Sequence, residues 1–329
     1  MAAVAATEMQ PGDKYVFNIF DPSSMGQAEV IAEVIGQENI DIRGRNQPAT
    51  KVSLNFKGVS QLAWIGKEGD ILKEKGFLGI RLIKTERKDA LDGLAIESSQ
   101  DLTKIASVAA NMTLDNIEAL EVLKVKIQGI SSEKLQLRGG RQTFNKQVLT
   151  VKKEALTNLA SELRAENLGA LEKIFLKPGP FIQSDNQRIR DQVREILKDK
   201  PDASPLTRAR MLLDWVHTHI KKRPVLSLPD ALSTLENRVG DCNEHAVLLA
   251  ALARAAGIPT RIEAGLVYIK GRFYYHAWNL MYLGKWITAD SLFGQLPADV
   301  SHLRFATGSP EQQLDLMGII GKVQLTIIQ

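Results

Sequence analysis

The chain holds one cysteine, Cys242, in 329 residues. A single thiol excludes an intramolecular disulfide and any zinc or iron–sulfur centre built from several cysteines, and it leaves the redox compartment open. Neither sign of charge is in large excess: 42 basic against 38 acidic side chains give a net charge of +4, with the basic residues spread along the chain. That balance supplies no electrostatic footprint for nucleic acid. The densest basic cluster, Lys221-Lys222-Arg223, has no interleaved aromatics and follows an amphipathic stretch, where cations suit a helix C-terminus. Long hydrophobic runs are missing too. The opening MAAVAATEMQ has no basic start and too short an apolar stretch for a signal peptide. Ala246 to Ile258 is interrupted by Arg254 and falls short of the roughly 18 residues a membrane span needs, so a soluble chain without a transmembrane segment is expected. With no EF-hand pattern in the text, neither a metal nor another cofactor is predicted.

What is present is a composition, 44% hydrophobic and 24% charged, that can fill the cores of two domains. From Lys14 to about Leu82 short β-prone runs alternate with turn signals: YVFNIF, AEVIAEVIG, ENIDIRG, TKVSLNF, LAWIGKEGDILKEK and GFLGIRLIK. Such spacing predicts an antiparallel β domain, with a hairpin turn at Lys67-Glu68-Gly69-Asp70. Residues 86 to 117 read as a helical or irregular insertion, after which EVLKVKIQGI and KQVLTVKKEAL return to a period of two. Pro178, Pro180 and the polar QSDNQ look like a junction. The expected organisation is therefore a flexible tail over 1–10, a β-rich N-terminal domain over 11–177 and a second domain over 178–329. Beyond the junction, Gln187 to Leu197 and Leu206 to Lys221 carry apolar residues at helical spacing. His217 and His219, two apart on the second helix, point to different sides and cannot share a metal from one face.

Cys242 sits at a punctuated helix start. Asp241 is an N-cap residue, Glu244 completes an Asp-x-x-Glu capping box, Gly240 frees the turn, and Gly257 and Pro259 stop the helix. Free N–H groups and the helix dipole at that position favour a thiolate, so a lowered thiol pKa is expected. The alternative, a small residue packed under a helix, has to be weighed against its partners. After Gly257 the chain is β-prone again: TRIEAGLVYI, a turn at Lys270-Gly271, RFYYHAWNLMY, Gly284, KWITAD. If Tyr282-Leu283-Gly284 is a three-residue loop, Met281 pairs with Lys285 and His276 lies directly opposite Asp290, about 5 Å apart between Cβ atoms. A two-residue loop would put them on opposite faces. A cysteine at a helix start with a histidine and an aspartate on adjacent strands supplies a nucleophile, a base and an orienting group.

The blocks GDCNEHA, ALARAAGIPTR, YYHAWN and KWITAD, in that order, closely resemble the bacterial transglutaminase-like branch of the papain-like cysteine enzymes over about residues 181 to 308. The resemblance implies an α+β fold, with a helix-borne cysteine packed on an antiparallel sheet and preceded by the β-rich N-terminal domain. It implies Cys242 as nucleophile, His276 as general base and acid, and Asp290 as the residue that fixes the imidazole. Around these, the residues themselves make Asp241 and Glu244 the cap beside the thiol, His245 a supporting or packing residue on the same helix, and Trp278, two after His276 on the same face, either a cover over the site or an ordinary core aromatic. The chain departs from the family pattern at Leu280, where an acidic residue is frequent, and at Ser291-Leu292, where Pro-Thr often follows the aspartate. The implied function is thiol-dependent acyl transfer on amide bonds of a protein or peptide substrate, as a protease or amidase with water and a transglutaminase with a lysine. The alternative is a catalytically silent peptide-binding or assembly module. FGQLPADVSHL also resembles a subgroup of which many members are exported, an extracytoplasmic (periplasmic) placement if a leader has been removed.

Overall fold

The computed structural model describes residues 9–21, 26–56, 59–75, 81–86, 107–131, 133, 135–223, 229–308 and 322–328. The chain divides into two compact units, Met1–Ile105 and Ala106–Gln329. Residues 1–8 of the tail expected over 1–10 and most of the insertion expected over 86–117 lie outside the described residues, and the described end of that insertion is partly strand.

In the first unit, β1 (Lys14–Asp21), β2 (Gly26–Ile42), β3 (Arg45–Phe56), β4 (Val59–Ile65), β5 (Ile71–Lys75) and β6 (Arg81–Ile83) form one antiparallel sheet in sequence order. The runs AEVIAEVIG and ENIDIRG are one continuous strand rather than two, because a bulge between Val34 and Gly36 carries the pairing through. That extra residue switches parity. Val34 pairs with Val52 on one face, whereas Glu38 pairs with Ala49 on the other, so the sheet supports two small cores. Ala32, Val34 and Val52 make the first, and Ile40, Ile42, Ala49, Trp64 and Leu72 the second. The expected hairpin is present, closed by Gly66 and Asp70 around Gly69.

The second unit begins with β7 (Ser107–Ala109), β8 (Val122–Gln128), β9 (Gln142–Asn145) and β10 (Val148–Lys152). Among the described residues the helices that follow are α1 (Ala170–Ile174), α2 (Gln187–Leu197), α3 (Pro205–His219), α4 (Ala231–Asn237) and α5 (Cys242–Ala255). Short β11 (Lys221–Lys222) and β12 (Val239–Gly240) lie between them, and β13 (Thr260–Ile269), β14 (Arg272–Tyr282), β15 (Trp286–Ala289), β16 (Leu303–Thr307) and β17 (Gln324–Ile328) complete the unit. Caps start the helices where the sequence offers them: Asn186 for α2, Ser204 before Pro205 for α3, and Asp230 for α4.

Two sheets and the helices share two cores. One packs Ile189, Leu212, Leu213 and the apolar length of α5 against Ile262, Ala277, Met281 and Ile287. The other packs Leu123, Val125, Leu149 and Val151 of the β17-β8-β10-β9 sheet against Leu266, Phe273, Leu303 and Phe305. Each buried leucine contributes about 1.5–3 kcal/mol, so neither layer is optional. Here the division of the chain differs from the junction expected near 178. The strand at 122–128 pairs on one side with β17, from the far end of the chain, and on the other with the strand at 148–152, and both bury alternate residues against β13, β14 and β16, so they belong to the second unit. Local periodicity identifies them as strands but not the sheet they join.

Candidate functional site

The hexapeptide Gly240–His245 builds the start of α5 as one device. Glu244 Oε2 accepts the Asp241 N–H at 3.0 Å, and the Asp241 carboxylate accepts the Asn243 N–H at 2.9 Å. Glycine is required just before the cap, since a Cβ on Gly240 would fall 2.3 Å from the Glu244 Cβ. His245 is buried behind the cap, its Nδ1–H donating to the Asp241 carbonyl at 2.7 Å, and burial holds its pKa down. Cys242 is half-buried at the first helical position, where the backbone N–H of Ala277, the residue after His276, favours the thiolate form. Asn279 Nδ2 donates to the Ala246 carbonyl at 2.9 Å and ties the same strand to the same turn of helix.

His276 and Asp290 meet at 2.6 Å, Nε2 to Oδ2, both almost fully buried. They are not directly opposed, as the expected register had it. Leu283 is buried in the core, which moves the loop one residue on to Leu283-Gly284-Lys285 and pairs Tyr282 with Trp286. Asp290, just beyond β15, is thereby diagonal to His276. Parity is unchanged, so both still share a face. Gly284, with φ of 93°, supplies the left-handed step. The preceding turn, Lys270-Gly271, has both residues at positive φ, as a two-residue hairpin requires.

Aromatic rings fix the imidazole. His276 stacks between Trp278, with centroids 6.0 Å apart, and Phe293, at 4.9 Å. Trp278 is buried, its Nε1–H donating to Glu263 at 3.1 Å, while Phe293 is 36% exposed and forms the solvent side of the sandwich. Asp290 Oδ1 accepts the Phe293 N–H at 3.1 Å, so one carboxylate positions both the imidazole and its cover. Tyr275 OH donates to Asn243 Oδ1 at 3.2 Å beside the thiol. A second histidine, His302, reaches Asp290 Oδ2 at 2.9 Å through Nε2.

The electrostatics correct one expectation. Burial, and after it the Asp241 carboxylate, pushes the Cys242 thiol well above its ordinary range; the Ala277 N–H pulls the other way without reversing this. The cap that places the thiol at the positive end of the helix also brings two carboxyl groups beside it. Glu244 is pushed up to about 8, by burial first and then by Asp241. Burial alone would raise Asp290, but His276 and His302 outweigh it and hold the carboxyl well below the usual range.

His276, Asp290 and His302 offer ligand atoms within 4.8 Å of one another, the geometry from which a cation could be held. Each Nε2 is already engaged with Asp290 Oδ2, however, and the three side chains are buried. His217 and His219 go to separate partners, the Ser291 carbonyl at 3.0 Å and the Trp215 ring. Cys242, His276 and Asp290, with Asp241, Glu244, His245 and Trp278 around them, are therefore gathered in one place. Phe293, His302 and Tyr275 join them without having been singled out from sequence; an Asp299–His302 spacing of three was the visible trace of one of them.

Residues 190–291 match the Transglutaminase-like superfamily. They are a transglutaminase-like domain. Among solved structures, a candidate cysteine protease from Cytophaga hutchinsonii is 16% identical with a TM-score of 0.42, covering 63% of this chain and 81% of its own. The periplasmic domain of TgpA from Pseudomonas aeruginosa is 16% identical with a TM-score of 0.35, covering 68% of this chain and 81% of its own. No curated protein matches. The transglutaminase-like domain contains Cys242, His276 and Asp290, and the architecture around it mixes helix and sheet. No described helix is long and apolar enough to cross a membrane.

Proposed function

We propose that the second unit carries out thiol-dependent acyl transfer on amide bonds of a protein or peptide. Cys242 is the nucleophile, His276 the general base and acid, and Asp290 the residue that orients the imidazole. The observation that supports this most is the buried 2.6 Å contact from His276 Nε2 to Asp290 Oδ2. With Nε2 engaged there, Nδ1 is the nitrogen left to exchange a proton, and the Ala277 N–H of the same strand favours the thiolate of Cys242. In this reading the S–H proton passes to His276 Nδ1 as sulfur attacks the carbonyl carbon. The Cys242 backbone N–H, at the first helical position, is the natural donor to the developing oxyanion. Collapse of the tetrahedral intermediate breaks the C–N bond, and the imidazolium gives its proton to the leaving ammonia or amine. Water then resolves the thioester to an acid, or an amine resolves it to a new amide.

A silent binding module is favoured by one observation, the upward push on the thiol from burial and Asp241. Iodoacetamide alkylation of Cys242 against pH separates the two readings. The enzyme reading expects fast alkylation near pH 7 that His276→Ala slows sharply. An ordinary profile centred near or above about 8.5, unchanged by the substitution, would sink it.

A further inference from the structure

Asp290 Oδ2 accepts from two imidazoles, His276 at 2.6 Å and His302 at 2.9 Å. His302 is fully buried, and its other nitrogen, Nδ1, faces Asp299 Oδ1 at 3.2 Å. A neutral imidazole has one N–H and would leave a lone pair against one of the two carboxylates. Asp299 is itself set up as an acceptor: Oδ1 takes the Ser301 N–H at 2.9 Å and the Ser301 hydroxyl at 2.5 Å, and Oδ2 takes Gln295 Nε2 at 2.9 Å. A ring with two donors satisfies both carboxylates; a ring with one does not.

We propose that His302 is a standing imidazolium, clamped between Asp290 and Asp299, that positions Asp290 and restrains the proton affinity of His276. The proposal rests on the reading that His276 exchanges a proton with Cys242. Its positive charge shares the field of Asp290, with the His302 and His276 ring centroids 5.6 Å apart. Without it, Asp290 would bind the His276 imidazolium harder, giving a stable ion pair with the thiolate but a reluctant acid for the leaving amine. The other groups around the pair do not supply this charge. On the β14 side stand the Trp278 and Phe293 rings; Glu263 of β13 is engaged by Trp278 and by Arg304 of β16. From α5 come Cys242, Glu244 and a His245 that burial holds down, and Arg141 is committed to Glu154 and the Ala298 carbonyl. Burial opposes protonation of His302, but the two carboxylates outweigh it and raise its pKa.

Two measurements test this. Nitrogen-15 NMR of the histidine rings should find His302 with both nitrogens protonated at pH 7 in the wild type, and Asp299→Asn should release the Nδ1 proton at lower pH. A neutral His302 at pH 7 in the wild type overturns the proposal, whether or not any variant folds. In His302→Gln, the step of the alkylation profile that belongs to the His276 imidazolium should move up by on the order of one to two pH units, the size expected for a unit charge at this separation. A folded His302→Gln whose profile overlays the wild type, while His276→Ala suppresses alkylation, refutes the role of His302 and leaves the acyl-transfer reading standing. If His276→Ala itself has no effect, it is the acyl-transfer reading that fails, and the NMR result still reports on the clamp.

Discussion

Replacing Asp290 by asparagine keeps the volume of the side chain and changes only charge and donor pattern, which makes it the sharpest probe of this site. The carboxylate accepts three hydrogen bonds: the two imidazole Nε2–H groups on Oδ2 and the Phe293 N–H on Oδ1. Asparagine cannot accept all three. If its oxygen serves Phe293, its NH2 points at both imidazoles, and His276 must turn its lone pair there and carry its proton on Nδ1, where it can no longer take one from the thiol. If the amide flips, its NH2 opposes the Phe293 N–H and the cover over His276 is lost. Removing one partner from a buried charged cluster costs about 3–5 kcal/mol, which urea unfolding will register. On the acyl-transfer reading proposed above, forcing His276 into the wrong tautomer should cost on the order of 10⁴ in turnover. The thiol gives a readout that needs no substrate. A cysteine of pKa about 8.5 without a base is about 3% thiolate at pH 7, and this one is pushed higher still by burial, so loss of the base should slow alkylation by at least ~30-fold. Asp290→Asn that is stable, alkylates at the wild-type rate and keeps the wild-type pH profile would refute the reasoning outright.

Two further perturbations test the frame around the site. Glu244 is raised from 4.5 to about 8 in the folded chain by burial and Asp241, so between those values the folded chain holds a proton that the unfolded chain has released. Stability must then fall as pH rises across that window. Glu244→Gln, which mimics the protonated form, should flatten the dependence of Tm on pH from 4.5 to 8 and gain on the wild type toward the upper end; parallel curves in a thermal-shift series would show that the pair carries no such proton. Gly265 lies at the bulge where β13 meets β16, and a Cβ there would fall 2.0 Å from the Leu303 carbonyl, immediately after His302. Gly265→Ala should destabilise by about 2 kcal/mol or more in urea unfolding, and wild-type stability would mean that β16 can move aside.

The parts of the site that could be read from the sequence are those set by local rules. Asp241, Glu244, Gly240 and Gly257 mark the helix that carries Cys242, because caps and stops act within a turn. Lys270-Gly271 marks the hairpin that carries His276 for the same reason. The same-face relation of His276 and Asp290 survived an error in register, since parity depends only on whether the loop gains an odd or even number of residues. What escaped depends on tertiary choices. The burial of Leu283 shifted the loop, and no local signal says that a turn residue will prefer the core. The strands at 122–128 and 148–152 join a sheet with residues 324–328, a pairing across most of the second unit that periodicity cannot express. His302 follows Asp290 through an irregular segment, so its return to the same carboxylate is invisible until the chain is folded.

The thiol's environment carries the strongest constraint on mechanism. A cysteine at a helix start is expected to be acidic, yet here burial pushes the thiol up, and the Asp241 carboxylate of the cap itself adds to that push. The helix dipole is a partial charge of about half a unit, smaller than one neighbouring carboxylate, so it cannot by itself make a thiolate at neutral pH. A nucleophile in this place has to obtain its negative charge by transferring its proton a short distance to a base rather than by releasing it to water, because only then does a positive imidazolium appear beside the sulfur. That requirement accounts for the order of the surrounding groups. On the proposed acyl-transfer reading, Asp290 fixes which nitrogen of His276 is available, Trp278 and Phe293 fix the plane of the ring, and His302 keeps the imidazolium from being bound too well to give the proton back. Acyl transfer needs that proton twice, once taken from sulfur and once delivered to nitrogen, so a site tuned only to hold the ion pair would stop at the first step.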